Sequence, residues 1–275
     1  VFAMRLWNGW GNENSELLME LNSGLHSLLQ ALVGPATPLG EATLQQVMAK
    51  VPASRAPAHP LISTDPETRV RHARGQSLPD WLAMHSGDVD SFPDAVALPE
   101  SSEQVRELLC YARDNGLDVI PYGGGTSVVG HINPELSARP ILTIDMSAMN
   151  KLIHFDRESQ LATFGAGTAG PELEALLQKE GYTLGHFPQS WELSTVGGWV
   201  ASRSSGQQSL HYGRIENMFA GGSIETLAGT LGIPTIPASS AGPDIREMIL
   251  GSEGRMGIIT EVVVRVTKLP EAESF

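Results

Sequence analysis

Three stretches of this chain set glycine beside hydroxyl side chains densely enough to do chemistry with the main chain itself. The first is Gly123-Gly124-Gly125-Thr126-Ser127-Val128-Val129-Gly130. The second runs Ser194-Thr195-Val196-Gly197-Gly198-Trp199-Val200-Ala201-Ser202-Arg203-Ser204-Ser205-Gly206, and the third Gly251-Ser252-Glu253-Gly254-Arg255-Met256-Gly257-Ile258-Ile259. A diphosphate presents many acceptor oxygens around a compact negative charge. A tight turn after a strand can aim several N–H groups at such a point. Glycine allows both the left-handed backbone and the close approach that this requires. Thr126 and Ser127 add hydroxyl donors, and no lysine is needed. Three such clusters, each with serine or threonine nearby, predict one shared ligand site.

The familiar glycine motifs fail on spacing. A dinucleotide G-x-G-x-x-G that starts at Gly123 needs its third glycine where Val128 stands. A P-loop on Gly125 and Gly130 needs Lys and Ser or Thr where His131 and Ile132 follow. A hydrolase elbow on Gly125 and Ser127 needs glycine where Val129 stands, so Ser127 is not an elbow nucleophile.

Other reactive side chains carry less. Cys110 follows Leu108 and Leu109 in a helical pattern and is predicted to be a buried structural thiol. His154, His186 and His211 show no metal-ligand spacing with it, and no metal is expected. His131 is read as a surface or loop-stabilising residue. Arg203 and Arg214 suit either a phosphate or a surface ion pair. Glu253 is read as ordering the third segment rather than as a general base.

These segments need elements to hold them. The spacing of Leu21, Leu25, Leu28 and Leu32 predicts an N-terminal helix with a core-facing stripe. A second helix is predicted over Pro66 to Arg74. Ser101 and Gln104 form a capping box ahead of Val105, Leu108, Leu109 and Ala112, and Asn115-Gly116 ends that helix. Strands are predicted at Val119-Ile120, Ile141 to Ile144, Leu161 to Phe164 and, longest, Ile258 to Thr267. Between them Pro171 opens a helix that turns Leu173, Leu176 and Leu177 inward and stops at Gly181. The expected organisation is a helical arm over residues 1–92, then one domain over 93–275. Within that domain a smaller subdomain covers about 93–147 and a larger one about 148–270.

Composition narrows the partners. The net charge of −13 argues against nucleic acid and against docking on anionic lipid. No apolar run reaches the length of a membrane span, and the opening Val1 to Arg5 is too short and irregular for a signal peptide. With one cysteine no internal disulfide forms, and the expected compartment is the cytoplasm.

The stretch Pro121-Tyr122-Gly123-Gly124-Gly125-Thr126-Ser127 resembles the pyrophosphate loop of the vanillyl-alcohol oxidase / p-cresol methylhydroxylase flavoprotein superfamily. Pro188-Gln189-Ser190-Trp191-Glu192-Leu193-Ser194-Thr195-Val196-Gly197-Gly198-Trp199, Ser202-Arg203-Ser204-Ser205-Gly206, Tyr212-Gly213-Arg214-Ile215-Glu216 and the third segment resemble its alkyldihydroxyacetonephosphate synthase branch. So does Trp7-Asn8-Gly9-Trp10-Gly11, and the resemblance runs from about Leu6 to Leu269.

It implies an α+β, two-subdomain FAD-binding fold followed by a substrate-binding cap. Gly123, Gly124, Gly125, Thr126, Ser127, Val128 and Val129 would wrap the pyrophosphate. Gln189, Ser190, Ser194, Thr195 and Gly198, with Ser202, Arg203, Ser204 and Ser205, would contact flavin and phosphates. Glu253, Gly254, Met256, Gly257, Ile258 and Ile259 would line the flavin and ribityl side. Gln189 replaces an acidic residue common in the animal synthases, and Ser202 and Ser204 replace Thr and Ala. The family's catalytic tyrosine and histidine cluster would lie beyond position 275. Thr126 stands in the loop where some relatives carry a flavin-tethering histidine, so non-covalent FAD is expected. The implied reaction exchanges the acyl group of acyl-dihydroxyacetone phosphate for a fatty alcohol. The alternatives are a FAD oxidoreductase acting on a 2-hydroxy acid or alcohol, and an inactive FAD-binding module. The partner is then a small molecule or lipid, with a homodimer possible.

Overall fold

Helix caps and buried strands build two main sheets, joined by the 3-10 turn Met146–Ala148, and a small two-stranded sheet of Tyr182–Thr183 with Thr267–Lys268 among the described residues. The computed structural model describes residues 5–13, 22–37, 40–237 and 240–271. Toward the N-terminus come α1 (Ser23–Val33), α2 (Leu44–Met48), β1 (Ile62–Ser63), α3 (Pro66–Arg71) and α4 (Leu78–Ser86). They are followed by β2 (Ala95–Ala97), α5 (Ser102–Asn115), β3 (Asp118–Tyr122) and β4 (Ile141–Asp145). The first sheet has the order β1-β2-β4-β3, with β2, β4 and β3 parallel and β1 antiparallel at the edge. Leu108, Leu142 and Ile144 are fully buried where α5 covers this sheet.

The second half holds β5 (Leu152–Asp156), β6 (Leu161–Gly165), α6 (Gly170–Lys179), β7 (Tyr182–Thr183), α7 (Val196–Ser202), α8 (Ser209–Tyr212) and α9 (Ile215–Met218). Then come β8 (Phe219–Thr226), β9 (Gly229–Ile233), α10 (Ile245–Ile249), β10 (Ile258–Arg265) and β11 (Thr267–Lys268). The antiparallel order is β5-β6-β10-β8-β9, so β10 is the middle strand. Its alternation buries Ile258, Thr260, Val262 and Val264. The last two meet Phe164, Leu173, Leu177 and Trp199 in the larger core.

Several expectations change here. Helix α1 forms, but Leu28 is 53% and Leu32 71% exposed, and no residue of α1 is buried. The stripe is therefore not core; Leu21 lies outside the described residues. Cys110 is exposed rather than buried: α5 turns Leu108, Leu109 and Ala112 inward and Cys110 to solvent. Only half of the capping box forms. Ser101 accepts from Gln104 N–H, while Gln104 Oε1 accepts from Glu100 N–H at 2.7 Å. The helix predicted to Arg74 stops at Arg71, and Ser77 with Asp80 caps the unforeseen α4 through a full box.

The loop before β2 is fixed by charge. Asp94, 2% exposed, accepts from Arg55 Nε at 2.9 Å, Arg55 Nη2 at 2.7 Å and the main-chain N–H of Ile141 at 2.8 Å. Burial alone would raise its carboxyl, yet the hydrogen bonds from Arg55 and Ile141 hold it below the usual carboxylate range.

Candidate functional site

Strand β3 ends at Tyr122, and the chain leaves it as the first glycine loop. In a parallel sheet, ligands sit beyond the carboxyl ends of the strands. β4 is parallel to β3, so Met146, just past its end, faces the same space. The loop is braced from behind by Arg5, whose Nη1 donates to Gly124 O at 2.5 Å. Tyr122 is buried under it against His72, ring centroids 4.6 Å apart, and desolvation pushes its hydroxyl up to about 12. His72 in turn bonds Asp145 Oδ2 at 2.9 Å, which ties α3 to the end of β4.

The second segment enters through an isolated bridge between Ala169 and Thr195. Thr195 caps α7 by accepting from Gly198 N–H. The third segment grips the other end of that helix. Gly251 N–H donates to Val200 O at 3.1 Å and Glu253 N–H to Ala201 O at 2.9 Å. The loops also touch each other. A Cβ on Gly123 would come within 2.5 Å of Thr195 Oγ1, and one on Gly254 within 2.8 Å of Pro121 Cγ.

All three loops thus share one groove of about 380 Å³, within the range of small-molecule sites. Of the residues assigned by sequence, Gly123 through Val129, Ser190, Ser194, Thr195, Gly198, Ser202, Ser204, Glu253, Gly254, Gly257, Ile258 and Ile259 line it. Gln189, Arg203, Ser205 and Met256 do not. Arg203 resolves the choice left open for it: its guanidinium is taken by Glu216 at 2.5 Å and Glu247 at 3.0 Å. Gln189 and Ser205 are exposed to solvent. His131 stabilises its loop, with Nδ1 3.3 Å from Ser127 Oγ and 3.9 Å from Glu253 Oε2. Missed by sequence were Ile132, Met146 and Ala166; the parallel strand ends could have signalled Met146 but not the other two.

The donor set suits a nucleotide diphosphate. Among the described residues, the main-chain N–H groups from Gly124 to Val128 find no protein acceptor, whereas Val129 N–H is bound by Ser127 Oγ. These free amides, with serine and threonine hydroxyls, meet an anion by dipoles without a lysine or arginine in the wall. The apolar stretch from Met146 and Ala166 to Ile258 and Ile259 suits a flat ring system. Among the described residues no cluster could hold a metal ion, and no helix is long and apolar enough to cross a membrane.

Behind the groove His186 is 1% exposed, and burial lowers its imidazole to about 4. The unfolded chain, near 6.5, therefore takes up this proton first as pH falls. We expect folding stability to drop by about 3 kcal/mol between pH 6.5 and 4 from this group. Urea unfolding across that window, compared with His186→Phe, measures it; a loss unchanged in the variant would assign the acid sensitivity elsewhere.

The comparisons agree with this geometry. A family model described as FAD binding domain matches residues 93–231, half of the chain. The chain is 42% identical over 214 residues to alkyldihydroxyacetonephosphate synthase of Dictyostelium discoideum, covering 78% of this chain and 35% of that protein. It is 40% identical over 185 residues to the FAD-linked oxidoreductase YgcU of Escherichia coli, 66% of this chain and 38% of that one. A solved structure of an alkyldihydroxyacetonephosphate synthase superposes with a TM-score of 0.84 at 33% identity, over 98% of this chain and 55% of that one. The chain thus spans little more than a third of the curated relatives it matches. With the groove, its free amides and these likenesses in agreement, the chain belongs to the FAD-binding flavoproteins of the p-cresol methylhydroxylase type.

Proposed function

We propose that the whole protein is a flavoenzyme of the alkyldihydroxyacetonephosphate synthase kind, which exchanges the acyl group of acyl-dihydroxyacetone phosphate for a fatty alcohol. The observation that carries this reading is the convergence of three glycine segments on one groove, in a chain 42% identical to a protein of that name. When bound, FAD would supply the flavin ring, with N5 as its working atom. This chain's part is to hold it. The amides of Gly124 to Val128 and the hydroxyls of Thr126 and Ser127 bind the pyrophosphate. Ser190, Ser194, Thr195, Gly198, Ser202 and Ser204 orient the cofactor, and Glu253, Gly254, Gly257, Ile258 and Ile259 shield the flavin and ribityl side. Residues 93–147 and 148–270 act as the two subdomains, with 1–92 as an arm. The substrate-handling groups belong to the part of the protein outside these 275 residues. The substrate on this reading is a lipid phosphate, and the compartment is the cytoplasm.

The test is to incubate the full-length protein with acyl-dihydroxyacetone phosphate and hexadecanol. Ether-linked product is expected; its absence, with flavin bleaching on anaerobic addition of D-lactate, would transfer the protein to the oxidoreductases. That second reading is favoured by the likeness to an FAD-linked oxidoreductase. We further propose that FAD is held non-covalently, since Thr126 occupies the loop and His131 is engaged by Ser127. The purified chain is then expected to be yellow and to release its flavin on acid precipitation. Flavin that stays on the pellet would mean a covalent link.

A further inference from the structure

Two hydroxyls in the groove wall are each held from behind by a buried ring. Trp199, 2% exposed, donates from Nε1 to Ser194 Oγ at 2.7 Å. An indole nitrogen only donates, so the Ser194 oxygen accepts and its own hydrogen must go elsewhere. His186 stands in the same relation to Ser204: its Nε2 lies 2.8 Å from Ser204 Oγ. The imidazole packs edge-on against Trp199, centroids 5.0 Å apart at 61°. Its other nitrogen, Nδ1, is buried without a partner among the described residues.

That orphan decides the tautomer. A buried N–H with no acceptor is rarer and costlier than a buried acceptor with no donor. The proton therefore sits on Nε2 and is given to Ser204 Oγ. The Ser204 main chain leaves no slack, since its N–H donates to Trp199 O at 3.0 Å and its carbonyl accepts from Ile215 N–H at 3.3 Å.

We infer that His186 is a positioning residue which carries its proton on Nε2 and so makes the Ser204 hydroxyl an obligate donor to an acceptor oxygen of the nucleotide in the groove. His186 does not touch the ligand. It and Trp199 turn two ambivalent hydroxyls, Ser204 and Ser194, into donors aimed at one wall of the site. The ligand group they fit is a phosphate oxygen or a ring carbonyl. The inference rests on FAD occupying the groove, and the experiment separates the two.

FAD affinity is measured first on the unsubstituted apoprotein by fluorescence quenching; no binding there would overturn the reading of the groove, and this inference with it. The long-range proton–nitrogen spectrum of the ¹⁵N-labelled chain then reports the His186 tautomer, with the signal assigned by its loss in a variant. The Nε2–H pattern is expected. The Nδ1–H pattern, in a chain that binds FAD, would overturn the inference alone. Ser204→Ala is expected to weaken FAD by about tenfold, the worth of one hydrogen bond to a charged acceptor. His186→Phe, which keeps the ring against Trp199, should lose up to as much. The double variant should be no weaker than Ser204→Ala, and His186→Gln, which restores a donor, should recover most of the affinity. Losses that multiply in the double variant would mean that His186 acts through packing and would sink the proposal. Should His186→Phe fail to fold, the tautomer read on the native chain, with His186→Gln supplying the assignment, still decides.

Discussion

Gly124→Ala is expected to lower FAD affinity by about 100- to 1000-fold. A Cβ at this position would overlap the carbonyl of Leu193 and lie 2.7 Å from Ser194 Cα, so main chain collides with main chain. No side-chain rotation relieves that clash. The first loop must retreat from the second, and amides between Gly124 and Val128 lose their aim. Two lost hydrogen bonds to an anion, at about 1.5–2 kcal/mol each, the lower part of the range for charged partners, give a loss of that size. Titration of apoprotein with FAD measures it. An unchanged affinity would show that the contact between these loops does not shape the site. Gly116→Ala serves as the contrast: its backbone is left-handed, as that of Gly124 is not, but a Cβ there meets nothing within 4 Å, so only folding should suffer.

The second large effect concerns stability rather than cofactor. Asp94→Ala should cost about 3–5 kcal/mol, because it strands charge in a buried place. Arg69 is 2% exposed, and burial lowers its guanidinium while the Asp94 charge supports it. Its Nε and Nη1 already donate to the carbonyls of Pro93 at 2.6 Å and Pro52 at 2.7 Å, and Nη2 has no partner among the described residues. Without the carboxylate, that cation and the buried N–H of Ile141 both lose their counterpart. The folded carboxyl lies below its unfolded value, so the contribution is present at neutral pH and lost only as pH falls through the carboxylate range. A midpoint lowered by roughly 10 °C in a thermal melt is the expected reading. A shift within 2 °C would show that Arg55 and Arg69 find other partners.

The parts of this molecule legible in its sequence are those governed by local rules. Asn115-Gly116 ends α5 because the cap is left-handed at Gly116, and the β-branched run of β10 is a buried strand in the structure. The glycine clusters were readable as a site because missing side chains mark where main chain meets ligand or main chain. What escaped depends on partners distant in sequence. Whether Leu28 is core depends on what α1 packs on, and Cys110 differs from Leu109 only by its angle around α5. Arg203 could have met a phosphate had Glu216 and Glu247 not folded beside it. His186 had no motif at all; its role comes from Ser204, eighteen residues later.

The placement of β10 between β6 and β8 has a consequence for biosynthesis. Hairpins β5–β6 and β8–β9 leave the ribosome well before the strand that joins them. From Gly165 to Arg265 a hundred residues must be added, roughly 5–20 s at ~5–20 residues per second. Throughout that interval the edge of β6 that receives β10 is unpaired, and from Thr226 onward the facing edge of β8 is too; both are open to pairing with another nascent chain. The segment that fills the gap also carries Gly254 to Ile259, so cofactor capture and closure of the sheet come as one late event.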